Sequence, residues 1–293
     1  MANAKAIKAK IKSISNIQKI TSALEVVSTV KLQKIKNQAE HFKDYMVEFL
    51  YILDMVNFSK IFGFQNSNNT GKELLVVVST EKGLCGALNS KLFRKVYNST
   101  YEDKSKYDVF VIGKKWLEYF TRLWYNIVGV LNLKDTFSEA DLTDLRAYLV
   151  KSLDDNKYSK IRIFFNYFKN TMVQYPTDLQ LYPLTRENFE EFAKNIELDV
   201  NLDEEYNQDI MIEPSEEEYY NFLLKKFISD ITYGAVLENK AWEHASRMIA
   251  MKNAKDNSID LKKALTITYN KQRQASVTQE ISEIVSAKVA MEE

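Results

Sequence analysis

The chain has 293 residues, of which 45% are apolar and 27% charged, with a formal net charge of zero. That balance excludes general disorder. Its 7 Gly and 3 Pro fall far below the roughly 20 and 15 of average usage, which excludes a loop-rich β-sandwich needing a turn former at every corner. The single Cys rules out an internal disulfide framework and any Cys-based zinc or iron–sulfur site. No apolar run approaches the roughly 20 residues of a membrane helix, and the N-terminus lacks the apolar stretch of a secretory signal. A cytoplasmic protein made largely of long helices is expected.

Charge is unevenly spread. Residues 1–36 carry eight Lys against the single acid Glu25, whereas residues 187–218 carry thirteen acids against Lys194 alone. The basic segment reads either as a solvated helix face or as a surface for an acidic partner. It contains no aromatic residue and no Arg, so an acidic protein suits it better than nucleic acid.

Residues 1–62 contain no Gly or Pro. Apolar side chains recur every three or four positions, at Ile7, Ile11, Ile14, Ile17, Ile20, Leu24 and Val27, and again from Leu32 to Val56. This is one stripe along an α-helix. At 1.5 Å per residue it would span about 80 Å, longer than a compact domain is wide, so it must protrude or pair. Leu74–Thr80, Tyr107–Ile112 and Ile127–Leu131 are β-branched apolar runs, each followed by an amphipathic stretch. Ser138 offers an N-cap for the last of these stretches. Lys160–Phe168 and Met172–Leu184 read as further strands, with Pro176 and Pro183 marking an edge or an end. Strand–helix alternation predicts a small, largely parallel α/β domain over residues 72–190.

An acidic, weakly patterned loop is expected over residues 191–214, its acidic run beginning at Glu187. Ser215 and Glu216–Glu218 then open a C-terminal helical zone, residues 215–293. This zone lacks Gly and Pro after Gly234, has small residues at Ala241, Ala245 and Ser246, and has a weak point at Asn257-Ser258. The two terminal zones are expected to pair as an irregular antiparallel coiled coil, since neither keeps strict heptads.

Chemistry is sparse. Ser79–Gly86 is not a G-x-G-x-x-G loop, and no G-x-x-x-x-G-K-[ST] occurs. Two glycines separated by Leu-Cys make a tight strand-to-helix turn, not a phosphate cradle. Cys85 is a nucleophile only if a base approaches it in space, and a packing cysteine is the plainer reading. His41 and His244 look like exposed helix residues, and Trp242 like a packing residue. No carboxylate pair is singled out for acid–base work. No catalytic, cofactor-binding or metal-binding residue is assigned to this chain.

Three motifs nonetheless stand in order along the chain. The first is Ile11-Lys12-Ser13-Ile14-Ser15-Asn16-Ile17-Gln18-Lys19-Ile20-Thr21, the second Ser79–Asn89 (STEKGLCGALN). The third runs through Ala245-Ser246-Arg247-Met248-Ile249-Ala250-Met251-Lys252 and Tyr269–Ile281 (YNKQRQASVTQEI). Together they resemble the γ subunit of F-type ATP synthases, the central rotating shaft. The resemblance implies a coiled coil of the terminal helices with a Rossmann-like domain between them.

It also implies partners. Catalysis, with Mg-ATP or ADP, would belong to the β subunits of a hexamer of three α and three β subunits. An ε-type subunit would be a possible companion, and the complex would lie against the inner face of a bacterial cell membrane, with no insertion of this chain. Carried over by motif, Arg273, Gln274 and Thr278 match a catch that engages β loops. Arg247, Glu280 and Glu283 match charged positions linked to coupling, and Cys85 matches a position near the β lever. Lys19 and Leu24 fall in the first motif and its continuation, and are assigned to the same hexamer contact.

The foot departs from the pattern. Asp209-Ile210-Met211-Ile212-Glu213-Pro214 stands where many bacterial members have Tyr-Leu-Tyr-Glu-Pro, so Ile210 and Ile212 replace tyrosines that grip the membrane rotor ring, while Glu213 is kept. Two expectations follow: a shaft seated on the usual ring, or a shaft driving other machinery such as a motility apparatus. A stand-alone α/β enzyme or nucleic-acid-binding protein with a coiled-coil arm is the reading outside this class.

Overall fold

The computed structural model describes residues 2–55, 71–167, 175–195 and 211–292. The chain divides into two units, one of Met1–Thr29 with Arg247–Glu293 and the other of Val30–Ser246. Two long helices, α1 (Ala2–Met55) and α6 (Glu216–Glu292), contribute to both. The expected end of the first helix at residue 62 lies outside the described residues.

Between these helices the larger unit holds β1 (Glu73–Val78), α2 (Leu88–Thr100), β2 (Tyr107–Ile112), α3 (Leu117–Arg122) and β3 (Asn126–Leu131). They are followed by α4 (Thr143–Asp154), β4 (Lys160–Tyr167), β5 (Tyr175–Tyr182) and α5 (Arg186–Asn195). The strands form one sheet in the order β3-β2-β1-β4-β5. The first four are parallel, and β5 returns antiparallel along β4. Both faces are covered, which is why Leu74–Val78 is an unbroken apolar run. Leu75, Val77, Val109, Val111 and Phe164 pack with Leu92, Val96, Trp116 and Phe120 of the α2 and α3 side. On the opposite face Phe110 meets Tyr148 of α4, with ring centroids 5.6 Å apart. The strand–helix alternation read from the sequence is thus realised as a sheet dominated by parallel pairs.

Helix starts follow local chemistry. Ser138 and Asp141 form a reciprocal capping box, and the Ser215 hydroxyl accepts from the Glu218 amide at 3.3 Å. The acidic stretch expected to be loop from Glu187 instead begins with α5. Thr185 Oγ1 accepts from the Asn188 amide at 3.2 Å, and Phe189 is buried against Phe227 with ring centroids 5.5 Å apart. A cap and the Phe189 anchor hold the start of this helix, where Arg186, Glu187 and Glu190 are exposed.

In the larger unit, α1 and α6 run antiparallel. Phe42 lies on Tyr233, with centroids 5.2 Å apart, and the Tyr45 hydroxyl donates to Asp230 at 2.7 Å. Gly234 allows this approach, because a Cβ there would lie 2.6 Å from the Phe42 ring. In the smaller unit, taken by itself, α1 and α6 are also antiparallel: Lys255 donates to Glu25 at 2.7 Å and Lys262 to Ser15 at 3.4 Å. Helix α6 passes through Asn257-Ser258 unbroken, with the Ser258 hydroxyl bonded back to the Ala254 carbonyl at 2.6 Å.

His244, expected on an exposed face, is buried, as is its neighbour Glu243. The reason is positional: between Ala235 and Ser246 all residues but the half-buried Glu238 are buried, so α6 has no solvent face there. Such a helix carries no amphipathic signature.

Gly113, after β2, has φ +94°, and a Cβ there would sit 2.6 Å from the Ser79 carbonyl oxygen. Both the conformation and the close backbone exclude a side chain. Gly113→Ala should therefore destabilise the chain by about 2 kcal/mol or more. A thermal melt checks this, and an unchanged midpoint would count against it.

Candidate partner-contact surfaces

Helix geometry sets which residues of the long helices are available. Taking the Glu25–Lys255 and Ser15–Lys262 pairs with equal rise along both helices, Ala2 falls opposite about residues 275–278 of α6. Among the described residues, the last turns of α6 therefore extend past the α1 segment that pairs with it. Arg273 and Gln274, just before that extension, and Thr278, Glu280 and Glu283, at its start and within it, are all exposed. Thr278 Oγ1 is bonded to the Gln274 carbonyl at 3.0 Å, and Gln279 to Glu283 at 2.9 Å. Val277, Ile281, Ile284, Val285 and Val289 form an apolar stripe at helical spacing, with Ile284 69% exposed. An apolar stripe left uncovered at the end of a helix marks a binding surface.

The basic N-terminal segment contributes a groove of about 640 Å³ lined by Lys5, Lys8, Lys12, Lys19 and Lys262, with Ser15 and Asn16. Lys19 is exposed and Leu24 half-buried. Arg247 is buried, in contrast to the residues of the tip.

The Ser79–Asn89 turn is held by its own side chains. The Thr80 amide donates to Asn89 Oδ1 at 3.3 Å, Asn89 Nδ2 donates to Thr80 Oγ1 at 2.7 Å, and Thr80 Oγ1 donates to the Lys82 carbonyl at 2.9 Å. Ser79 reaches the end of β2 through its hydroxyl, 2.9 Å from the Ile112 carbonyl. Leu84 takes φ +63° and is exposed, whereas the Cys85 sulfur is buried beside Thr80 and Asn89. The carboxyl end of β4, where the strand order reverses beside β1, is covered by α6. Asn239 Oδ1 accepts from the Asn166 amide at 3.1 Å, and Trp242 Nε1 donates to the Tyr167 carbonyl. Doubly wound folds place ligands at that crevice. Here α6 occupies the end of β4, in keeping with the packing role read for Trp242.

A polar junction lies beside the turn, and sequence reasoning did not single it out. Asp135, after β3, is bonded by Lys31 of α1 at 2.6 Å and by Lys82 of the turn at 3.0 Å. Burial alone would raise its carboxyl, but these two ammonium groups outweigh it and hold the group well below the usual carboxylate range. The Leu133 amide donates to Glu81 at 2.7 Å, and its carbonyl accepts from Lys240 of α6 at 3.5 Å. Lys240 in turn pairs with Glu243 at 3.3 Å, both almost fully buried. No local spacing signals this cluster, because its members are far apart in sequence.

Just before α6, Met211 and Glu213 are exposed and Ile212 is half-buried, while Ile210 lies outside the described residues. No helix among the described residues is long and apolar enough to cross a membrane.

A family model described as ATP synthase matches residues 3–291. The chain is 36% identical over 298 residues to the ATP synthase gamma chain of Buchnera aphidicola subsp. Baizongia pistaciae (strain Bp), covering 99% of each. It is 34% identical over 299 residues to the ATP synthase gamma chain of Ruthia magnifica subsp. Calyptogena magnifica, covering 99% of this chain and all of the relative. Among solved structures, a chain of the Euglena gracilis mitochondrial ATP synthase, OSCP/F1/c-ring, aligns with a TM-score of 0.66 at 20% identity, over 99% of this chain and 95% of that one. A chain from the central stalk/c-ring structure of the Tetrahymena thermophila enzyme aligns at 0.61 and 22% identity, over 80% and 99%.

Proposed function

The chain belongs to the gamma subunits of F-type ATP synthases, the non-catalytic component of the central stalk, and from that premise we propose how its surfaces are used. The tip of α6 turns inside a hexamer of α- and β-type subunits, which hold the Mg-ATP and ADP. The observation that carries this reading is the uncovered stripe from Val277 to Val289, on a helix segment that extends past its partner. A single helix in water has little to stabilise it without a surface to bury that stripe.

Arg273 and Gln274, on the exposed flank of the tip, are the catch on the β subunits, with Thr278, Glu280 and Glu283 extending it. Lys19, Leu24 and the lysine groove supply the basic face that meets acidic β segments. The Ser79–Asn89 turn offers Leu84 as its surface, with the buried Cys85 sulfur beneath it. Burial suits Arg247 to packing within the shaft. An asymmetric shaft biases three sites differently only through contacts that differ from site to site. Replacing Arg273 and Gln274 together by Ala should therefore lower ATP turnover several-fold while the complex still assembles. Unchanged turnover would remove them from the catch.

The foot seats the shaft on a membrane rotor ring, a reading supported by the c-ring assemblies among the related structures. An ε-type subunit accompanies it at the inner face of the cell membrane. Nothing in the fold or the relatives favours a motor for other machinery, a stand-alone enzyme or a nucleic-acid-binding protein. Affinity purification of the tagged chain from its own cells, with mass spectrometry, tests the partner set. Recovery of α-, β-, ε- and ring-type subunits is expected, and α and β without a ring would overturn the seating.

A further inference from the structure

We propose that the segment Leu133–Asp135 is a latch that fixes the sheet domain to the two shaft helices, so that a twisting moment passes between them without slip. The inference rests on the central-stalk role and adds to it the residues through which force would leave the shaft. The segment is gripped at several points from three elements. Asp135 binds Lys31 of α1 and Lys82 of the turn, the Leu133 amide binds Glu81, and the Leu133 carbonyl binds Lys240 of α6. Both backbone groups of Leu133 and a carboxylate two residues on are thereby committed to groups outside their own segment, which follows β3.

Apolar packing between helix and sheet is strong but non-directional, and it resists separation better than sliding. Hydrogen bonds and ion pairs are directional, losing strength within a few tenths of an ångström and tens of degrees of misalignment. A rotor needs resistance to shear, and the Lys31–Asp135–Lys82 bridge lies across the junction where shear would act. The Ser79–Asn89 turn thereby gains a mechanical role: it is a rigid, self-bonded abutment that presents Glu81 and Lys82 to the latch. Asp135 is a positioning residue, acting through Lys31 and Lys82.

The test uses the assembled hexamer with this chain as its shaft. A bead is attached to the sheet domain through Asn98→Cys, an exposed position on α2, the natural Cys85 being buried. Angular fluctuation of the bead in the pauses between ATP-driven steps reports stiffness, and bulk hydrolysis reports the catalytic end. Asp135→Asn should raise the angular variance about twofold or more, with hydrolysis changed by less than about twofold. Lys31→Met, at a half-exposed side chain where folding is not at risk, should raise it as well. Asp135→Glu, keeping the charge, should recover most of the stiffness. Parent-like variance in both Asp135→Asn and Lys31→Met would overturn the latch while leaving the central-stalk role intact. A parent complex that hydrolyses ATP without turning the bead would overturn the role itself, and the latch with it.

Discussion

Glu243→Ala should destabilise the chain by about 3–5 kcal/mol, because it leaves the Lys240 ammonium buried without its counter-charge. The two side chains are 2% and 0% exposed and lie 3.3 Å apart on successive turns of α6. With Glu243 gone, Lys240 keeps the Leu133 carbonyl at 3.5 Å, one long bond that does not offset the desolvation of a full charge. At the scale of a chain this size the loss corresponds to a fall in melting midpoint of about 6–15 °C. The companion variant separates charge from packing. Replacing both partners by apolar residues of similar volume, Lys240→Met with Glu243→Leu, should recover most of the stability, since the buried pair contributes little net. A single variant as stable as the parent, or a double variant worse than the single, would refute this account of the pair.

Asp108 is the second expected weak point. It lies near the start of β2, nearly inaccessible, and accepts from Asn126 Nδ2 at 2.7 Å and the Tyr158 hydroxyl at 2.9 Å, with Lys72 at 3.5 Å. Burial works to raise its carboxyl. The hydrogen bonds of Asn126 and Tyr158 and the Lys72 charge overcome that and hold it below the ordinary carboxylate value. Asp108→Asn keeps the size but removes the charge that these donors face, at a cost of about 2–4 kcal/mol near pH 7. The sign with pH follows from linkage. A carboxyl whose folded-state pKa is depressed contributes fully above its unfolded value of about 4 and loses that contribution as pH falls through the folded value. The gap between parent and variant should therefore be constant from neutral pH down to about 5 and close progressively below about 4. Urea denaturation across that range measures it, and a gap that widened in acid would mean Asp108 is not held as an anion in the fold.

Both residues show where reading the chain alone stops. Asp108 sits in Tyr107–Ile112, recognised as a strand from its β-branched apolar residues, yet its charge gives no hint of burial. Its partners Asn126, Tyr158 and Lys72 come from three other segments, brought together only when β2 pairs with β1 and β3. His244 misled more openly. Charged and polar residues on a helix read as solvated, and the only clue to the contrary was the small-residue set Ala241, Ala245 and Ser246. The loop expected from Glu187 failed for the opposite reason: its first ten residues are mostly acidic or polar, but Thr185 and Phe189 suffice to start α5 and seat it on Phe227.

What the sequence determined by itself is the class of the molecule. Scarce Gly and Pro, a long apolar stripe at helical spacing near the N-terminus, a breaker-free C-terminal zone and a strand–helix alternation between them dictate terminal helices flanking a mainly parallel α/β domain. Those signals are local, set by side-chain periodicity and backbone freedom within a few turns or strands, so they survive without knowledge of the fold. The three motifs identify the family for the same reason. Only the tertiary structure decided what those motifs hold together: that Asn89 closes the turn on Thr80, that Asp135 joins Lys31 to Lys82, and that α6 runs buried on all sides past the end of β4. Ion pairs and buried polar contacts between residues 50 or 100 positions apart depend on which surfaces the folded chain brings within about 3 Å of one another, and no periodicity along the chain encodes that.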